Sequence, residues 1–360
     1  MDKMNVKLRS VLKSKKFIFV LVVIAILALS MVFTILRSPK APVVYNDVKI
    51  EYKDDNLEEA IRSAIKKPFG DIYVHDVVSI KKIDLSNKDI RYLNGIEYMS
   101  NLEGINLSEN KIDDITPLKD LTKLEDLFLG VNKIKDITPI KDLDGIKNLK
   151  LNNNDILDIS VLSNFKNITK LELSRNHVRD IAPINNLTNL KELSLAYNNL
   201  GNVDSIYKMK GLMTLNISGN SLVGLNGVEN LTNLTELNVS DNAISDLSKT
   251  SNLILLKKLD ASNNRVSSID VIKPLTDLEY LSVASNFVSD IKVVVNFKKL
   301  EILSVVNTNV KDLTVIKSLP KINELFLDKD SDRSQIQYLN GKLKNSDIYT
   351  KSEFLKKEIF

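Results

Sequence analysis

The 360-residue sequence contains no cysteine. That excludes disulfide staples, thiol catalysis and cysteine-based zinc sites. It has two histidines, His75 and His177, so a histidine metal site or a Ser-His-Asp triad has almost no raw material. Glycine and proline number 11 and 8, too few for a flexible low-complexity chain. No glycine-rich phosphate loop is present. Asp114 recurs at a fixed period as Asp136, Asp158 and Asp180, which points to turn chemistry and not to a pocket. The expected class is a folded binding protein with no cofactor and no catalytic residues.

The net charge of +4 is unevenly placed. Residues 1–40 hold 8 Lys/Arg against Asp2, a net of +7, and the rest of the chain holds 42 Lys/Arg against 45 Asp/Glu, a net of −3. The basicity therefore belongs to the N-terminus, and nucleic acid is not an expected partner. Lys3, Lys7, Arg9, Lys13, Lys15 and Lys16 precede a run from Phe17 to Leu36 in which Ser30 and Thr34 are the polar residues. Twenty helical residues span roughly 30 Å, the thickness of a bilayer's hydrocarbon core. The pattern predicts a transmembrane signal-anchor at residues 17–36, with the basic tail 1–16 cytoplasmic and the rest of the chain outside. A cleaved signal peptide, cut at Ala28-Leu29-Ser30, is the alternative.

Most of the remaining chain repeats at a fixed period, the step from Ile105 to Leu127 and from Leu127 to Leu149. Ile105-Asn-Leu107-Ser-Glu-Asn110-Lys-Ile112 is followed by Leu127, Leu129, Asn132 and Ile134, then by Leu149, Leu151, Asn154 and Ile156. The series runs from Ile83 to Leu325, twelve units without insertion or deletion. Its asparagines are Asn110, Asn132, Asn154, Asn176, Asn198, Asn220, Asn242, Asn264 and Asn286, with Lys88 and Thr308 in that place near the two ends. Apolar residues at such a period make sense when each coil buries its face by stacking on its neighbours.

The unit reads L-x-x-L-x-L-x-x-N-x-I, the leucine-rich-repeat signature. Alternation in L-x-L predicts a strand with the leucines inside. Stacked coils pair these strands into a parallel sheet on the concave side. Each asparagine has two N–H donors and a carbonyl, and is expected to bond the backbone of adjacent coils as a structural ladder. Segments such as Asp114-Ile-Thr-Pro-Leu118 are expected to form short 3₁₀ turns on the convex side, with the aspartates capping the turns.

The repeat resembles that of the internalin-type leucine-rich-repeat family of bacteria. Upstream, Asp55-Asn-Leu57-Glu-Glu-Ala60-Ile61 has helical apolar spacing, and Asp55 with Glu58 has the shape of a capping box. It looks like the helical cap that covers the first repeat of internalin-like proteins. The resemblance implies an α/β solenoid: a horseshoe with a parallel concave β-sheet and short convex 3₁₀ turns, here preceded by one transmembrane helix. It also implies that the concave face binds a protein. The sequence shows no LPxTG sorting motif, so the N-terminal segment is the expected anchor. The expected organisation is tail 1–16, anchor 17–36, linker 37–48, helical cap 49–82, repeats 83–330 and C-terminal cap 331–360.

Concave positions are mostly small, among them Ser108, Ser174, Ser194, Ser218, Ser240, Ser262 and Ser282. Larger residues stand out there, and exposed aromatics on a rigid sheet are the usual anchors of an interface. Phe128, Tyr197, Tyr280 and Phe326 are the candidate partner-binding residues. Asp328-Lys-Asp330-Ser-Asp332 starts like a calcium loop but has Arg333 and Leu339 where glycine and glutamate are needed. The sequence thus predicts a membrane-anchored, cell-surface protein that binds another protein. A secreted adhesin or virulence factor and a cell-envelope scaffold or sensor are the two alternatives.

Overall fold

The computed structural model describes residues 48–328 and the backbone of residues 347–349. The basic tail 1–16, the expected anchor 17–36 and the linker to residue 47 lie outside the described residues, as does most of the expected C-terminal cap. Among the described residues no helix is long and apolar enough to cross a membrane. Those from Lys49 onward belong to one structural unit.

The N-terminal cap is built on helix α1 (Asp55–Ile65) and one turn of helix, α2 (Val74–Val77). Leu57 and Ile61 of α1 are fully buried, as the spacing predicts. Its N-cap is Asp54 and not Asp55: Oδ1 of Asp54 accepts the N–H of Asn56 at 3.0 Å and of Leu57 at 3.1 Å. Glu58 is not part of a capping box and instead pairs with Arg62 one turn on, at 2.7 Å. Two adjacent aspartates offered a choice of cap. It falls to Asp54 because its other oxygen accepts Arg91 and Tyr92 N–H at 2.7 and 3.0 Å, tying the cap to the first coil.

Three-residue strands then recur: β1 (Lys82–Asp84), β2 (Gly104–Asn106), β3 (Asp126–Phe128), β4 (Asn148–Lys150), β5 (Lys170–Glu172) and β6 (Glu192–Ser194). They continue as β7 (Thr214–Asn216), β8 (Glu236–Asn238), β9 (Lys258–Asp260), β10 (Tyr280–Ser282), β11 (Ile302–Ser304) and β12 (Glu324–Phe326). All pair in parallel and in sequence order, the central leucine or isoleucine of each aligned with the next, as Leu127 with Leu149. A further strand, β13 (Asp347–Tyr349), extends the sheet to 13. It pairs Glu324 with Asp347, one position beyond the step that joins every earlier pair, so the last coil breaks the register.

Among the described residues, eleven 3₁₀ turns close the convex side of the coils. Pro117, Pro139 and Pro183 sit in their first turn, where a missing N–H is harmless. Before these three turns an aspartate accepts the N–H two residues on: Asp114 from Thr116, Asp136 from Thr138, Asp180 from Ala182, each at 2.8 Å. These bonds hold the Asp136 carboxyl below the ordinary carboxylate range. Thr250 replaces an aliphatic residue in the core and is fully buried, its hydroxyl donating to the Leu247 carbonyl at 2.8 Å.

The asparagine ladder is continuous from Asn110 to Asn286. At Asn132, Nδ2 donates to the carbonyls of Leu107 at 2.9 Å and Leu129 at 3.1 Å, while Oδ1 accepts the N–H of Ile112 at 2.9 Å. The same three bonds recur at Asn154, Asn176, Asn198, Asn220, Asn242 and Asn264. Asn110 and Asn286 complete the series.

The residue before each ladder position is left-handed along most of the array, a feature the repeat pattern did not reveal. Asn87, Glu109, Val131, Asn153, Arg175, Tyr197, Asp241 and Asn263 all have φ between 51° and 59°. The conformation aims each N–H at the next coil, as Val131 N at the Asn152 carbonyl at 2.8 Å. Asparagine adopts it cheaply, whereas a β-branched residue does not. Val131, at φ 57° and 43% exposed, has little burial to offset that strain. Val131→Asn is expected to stabilise the protein by about 1 kcal/mol, read as a raised denaturation midpoint at unchanged m-value.

Candidate functional site

The strand face of the sheet is the surface on which the coils can present side chains in register. In each strand the central residue points into the core, and the first and third point out. Many third residues are occupied locally. Asp84, Asn106, Glu172, Asn216, Asn238 and Asp260 each accept the backbone N–H of the residue two further on. That cap steers the chain from the strand into the left-handed position, so these polar side chains are structural first.

What remains is charged and aromatic over β1–β9. Lys82 reaches Asp126 across two coils at 2.9 Å, passing Gly104, and Asn148 donates to the same carboxylate at 2.6 Å. Lys170 pairs with Glu192 at 2.6 Å and Lys258 with Glu236 at 3.1 Å. Phe128 is half-buried, with the Lys150 ammonium 5.1 Å from its ring centre. This is a cation–π pair held across adjacent strands.

Tyr197 stands not on a strand but three residues past β6, in the left-handed turn column, and is the most organised of the expected anchors. The residue is 44% exposed. The Arg175 guanidinium lies 4.6 Å from the ring centre, and the hydroxyl donates to Asp241 at 3.0 Å, two coils away. Between them the ring crosses Gly219, where a Cβ would fall 2.3 Å from Tyr197 Cδ1. Gly219 is itself left-handed at φ 61°. Partial burial, then the Asp241 charge, pushes the Tyr197 hydroxyl pKa up. The side chain is thus fixed before any partner arrives.

Tyr280 and Phe326 do not offer exposed rings, contrary to the sequence expectation. Tyr280 is 3% exposed and Phe326 fully buried. Phe326 packs with Ala284, Val306 and Ile302, an apolar cluster of its own. Tyr280 stands in register beside Ile302, and burial followed by the Asp260 charge pushes its hydroxyl pKa up. L-x-L alternation says which way a side chain points, but not what covers it. The aromatic part of the candidate face therefore contracts to Phe128 and Tyr197.

His177 lies 3.7 Å from Asp155 on the surface, and His75 stacks on Tyr73 at 5.7 Å. Among the described residues no group of three His, Asp or Glu is placed to hold a metal ion. Asp328, the first residue of the calcium-like segment, instead accepts the Asn307 N–H at 2.8 Å.

Comparison with known proteins places this geometry among others. A family model for leucine-rich repeats (two copies) matches residues 100–142, 166–208 and 254–296. No curated protein matches the sequence. An internalin, InlF, from Listeria monocytogenes is 29% identical, with a TM-score of 0.79 over 86% of this chain and 94% of that one. The functional domain of InlJ from the same organism, which includes a cysteine ladder, is 19% identical with a TM-score of 0.63 over 77% of this chain and 66% of that one. A plant peptide hormone receptor, RGFR1, solved in complex with RGF2, is 18% identical with a TM-score of 0.57, covering 71% of this chain and 48% of the receptor. The last two share the fold alone.

Proposed function

We propose, from the premise that the chain is an internalin-like leucine-rich-repeat protein, that it binds a protein partner on its strand face and the turn edge beside it, through Phe128 and Tyr197. The observation that carries this reading is the preorganised Tyr197: a half-exposed residue whose ring is held by Arg175, Gly219 and Asp241. An aromatic ring fixed in its bound geometry loses little conformational freedom on association, so its contacts appear as affinity. The alternating charges around it would select a partner surface of matching pattern and orient its approach.

The plant receptor's complex with RGF2 is an instance of this fold holding a ligand. The extent of the strand face favours a protein over a small molecule, which would need an enclosing pocket. We place the protein at the cell surface, held in the membrane by residues 17–36, with the repeats outside and binding, not catalysis, as its role. Nucleic acid is excluded from this reading by the acidic balance of the repeats.

Two variants of the full chain test the assignment. Tyr197→Ala is expected to weaken binding of an identified partner by roughly 30-fold, the effect of a hot-spot residue. Gly219→Ala removes no contact of its own but puts a Cβ where the ring lies, and should weaken binding in the same direction. Surface plasmon resonance against that partner reads both. Unchanged affinity in the two variants would sink the assignment.

A further inference from the structure

The most exposed large apolar residue among those described is Phe69, at 85%. It is not on a frayed loop. Arg62 donates to the Lys67 carbonyl at 3.1 Å and to the Gly70 carbonyl at 2.8 Å, gripping the loop on both sides of Phe69. Glu58 in turn fixes the guanidinium through Nε at 3.0 Å and Nη2 at 2.7 Å. Pro68 stiffens the approach, and Gly70, at φ 81°, makes the turn. Lys66, exposed and left-handed, stands beside the loop. A rigid aromatic tip next to a cation is thereby presented to the surroundings.

The chain also joins the cap beside this loop. Lys49 bridges Tyr73, Ile50 N–H donates to the Ile72 carbonyl at 2.8 Å, and the Lys49 ammonium meets Asp71 at 3.0 Å. Asp71 is two positions from Phe69. Upstream, the short segment 37–48 separates Lys49 from Leu36, the last residue of the long apolar run. From Leu36 to Lys49 the chain reaches at most about 45 Å when extended. A tether of that length lets the Phe69 loop reach the lipid surface in which that run is embedded. Aromatic and lysine side chains are the residues that settle at such an interface.

We propose that Phe69 docks the N-terminal cap onto the bilayer surface, its ring among the lipid headgroups and Lys66 facing their phosphates. This rests on the reading of residues 17–36 as an uncleaved anchor. It would give the repeats a defined orientation at the membrane and not a free swing on a linker.

The chain has no tryptophan, so Phe69→Trp makes a single probe. The full-length variant is reconstituted into phosphatidylcholine–phosphatidylglycerol vesicles carrying brominated lipid. Tyr207→Trp, on a convex 3₁₀ turn and 46% exposed, is the control. Flotation first reports whether the chain is anchored. In floated protein, quenching of Phe69→Trp should exceed that of Tyr207→Trp by about twofold or more, as for an interfacial aromatic. Equal quenching in floated protein overturns the docking while leaving the anchor standing, and assigns Phe69 to water or to a protein. Failure to float overturns the anchor, and the docking with it.

Discussion

Replacing Asn198 by alanine is expected to destabilise the protein by about 4 kcal/mol, the sum of lost bonds and stranded polar groups. Asn198 is 8% exposed. Its Nδ2 donates to the carbonyls of Leu173, Leu195 and Ala196 at 3.0, 3.1 and 3.2 Å, and its Oδ1 accepts the Val178 N–H at 2.9 Å. Alanine leaves the Val178 N–H and the Leu173 carbonyl without these partners, inside a stack that water reaches poorly. The damage crosses a coil boundary, because the bonds run from one coil to the one before it. In a solenoid the boundary term is what makes neighbouring repeats fold together.

The expected readout is therefore a lower midpoint and a broader transition in denaturant, with hydrogen exchange quickened first at Val178. Asn198→Thr should fall between the two. Thr308, which stands in the same place near the end of the array, keeps the bond to its own coil, donating to the Val305 carbonyl at 2.7 Å. A transition as sharp and as stable as the parent's would show that the ladder is not what couples the coils.

Asp54→Ala is the second large effect, expected at about 3 kcal/mol from loss of an N-cap together with two tertiary bonds. One carboxylate caps α1 and clamps the backbone of Arg91 and Tyr92. Without it the cap loses its hold on the first coil, and exchange should rise at Arg91 and Tyr92 before it rises in the central strands. Burial alone would raise the Asp54 pKa. The four N–H donors, from Tyr92, Arg91, Leu57 and Asn56, outweigh burial and hold it below the ordinary value.

A depressed carboxylate stabilises the fold at pH above its unfolded pKa, about 3.9. That contribution is lost as pH falls through the lower folded value. Cap stability should thus be flat from neutral pH to near 4 and drop below it. In Asp54→Asn the drop should be smaller, because the amide carries no titrating charge. A profile in the variant identical to the parent's would assign the acid sensitivity to other carboxylates.

The repeat period carried the fold plainly. Strand positions, the asparagine ladder and the aspartate-capped turns all follow from residue types that recur because each coil sets its neighbour the same hydrogen-bonding problem. The left-handed column was hidden because its residues differ, from Val131 to Arg175 to Tyr197, while the tertiary bond each N–H makes is the same. The choice of Asp54 over Asp55 turned on contacts with Arg91 and Tyr92, far along the chain. β13 was hidden because its coil departs from the repeat register by one.

At the candidate site, the sequence named Tyr197 but not what holds it. Its partner Asp241 is two coils on, and Gly219 between them reads as one more variable position until the ring is seen lying across it. Tyr280 opens β10 and Phe326 closes β12, whereas Tyr197 stands three residues past β6, and they differ from it in burial. Their neighbours Ile302, Ala284 and Val306 make the C-terminal end of the face apolar enough to close on itself.

The strand face and the turn edge that carries Tyr197 meet the partner. Site-specific photo-cross-linking on the full chain tests it directly, with benzoylphenylalanine placed in turn at Phe128, Tyr197 and, as a convex control, Tyr207. One protein species is expected to be captured from positions 128 and 197 and to be absent from 207. Capture of that species from 207, with none from 128 or 197, would contradict it.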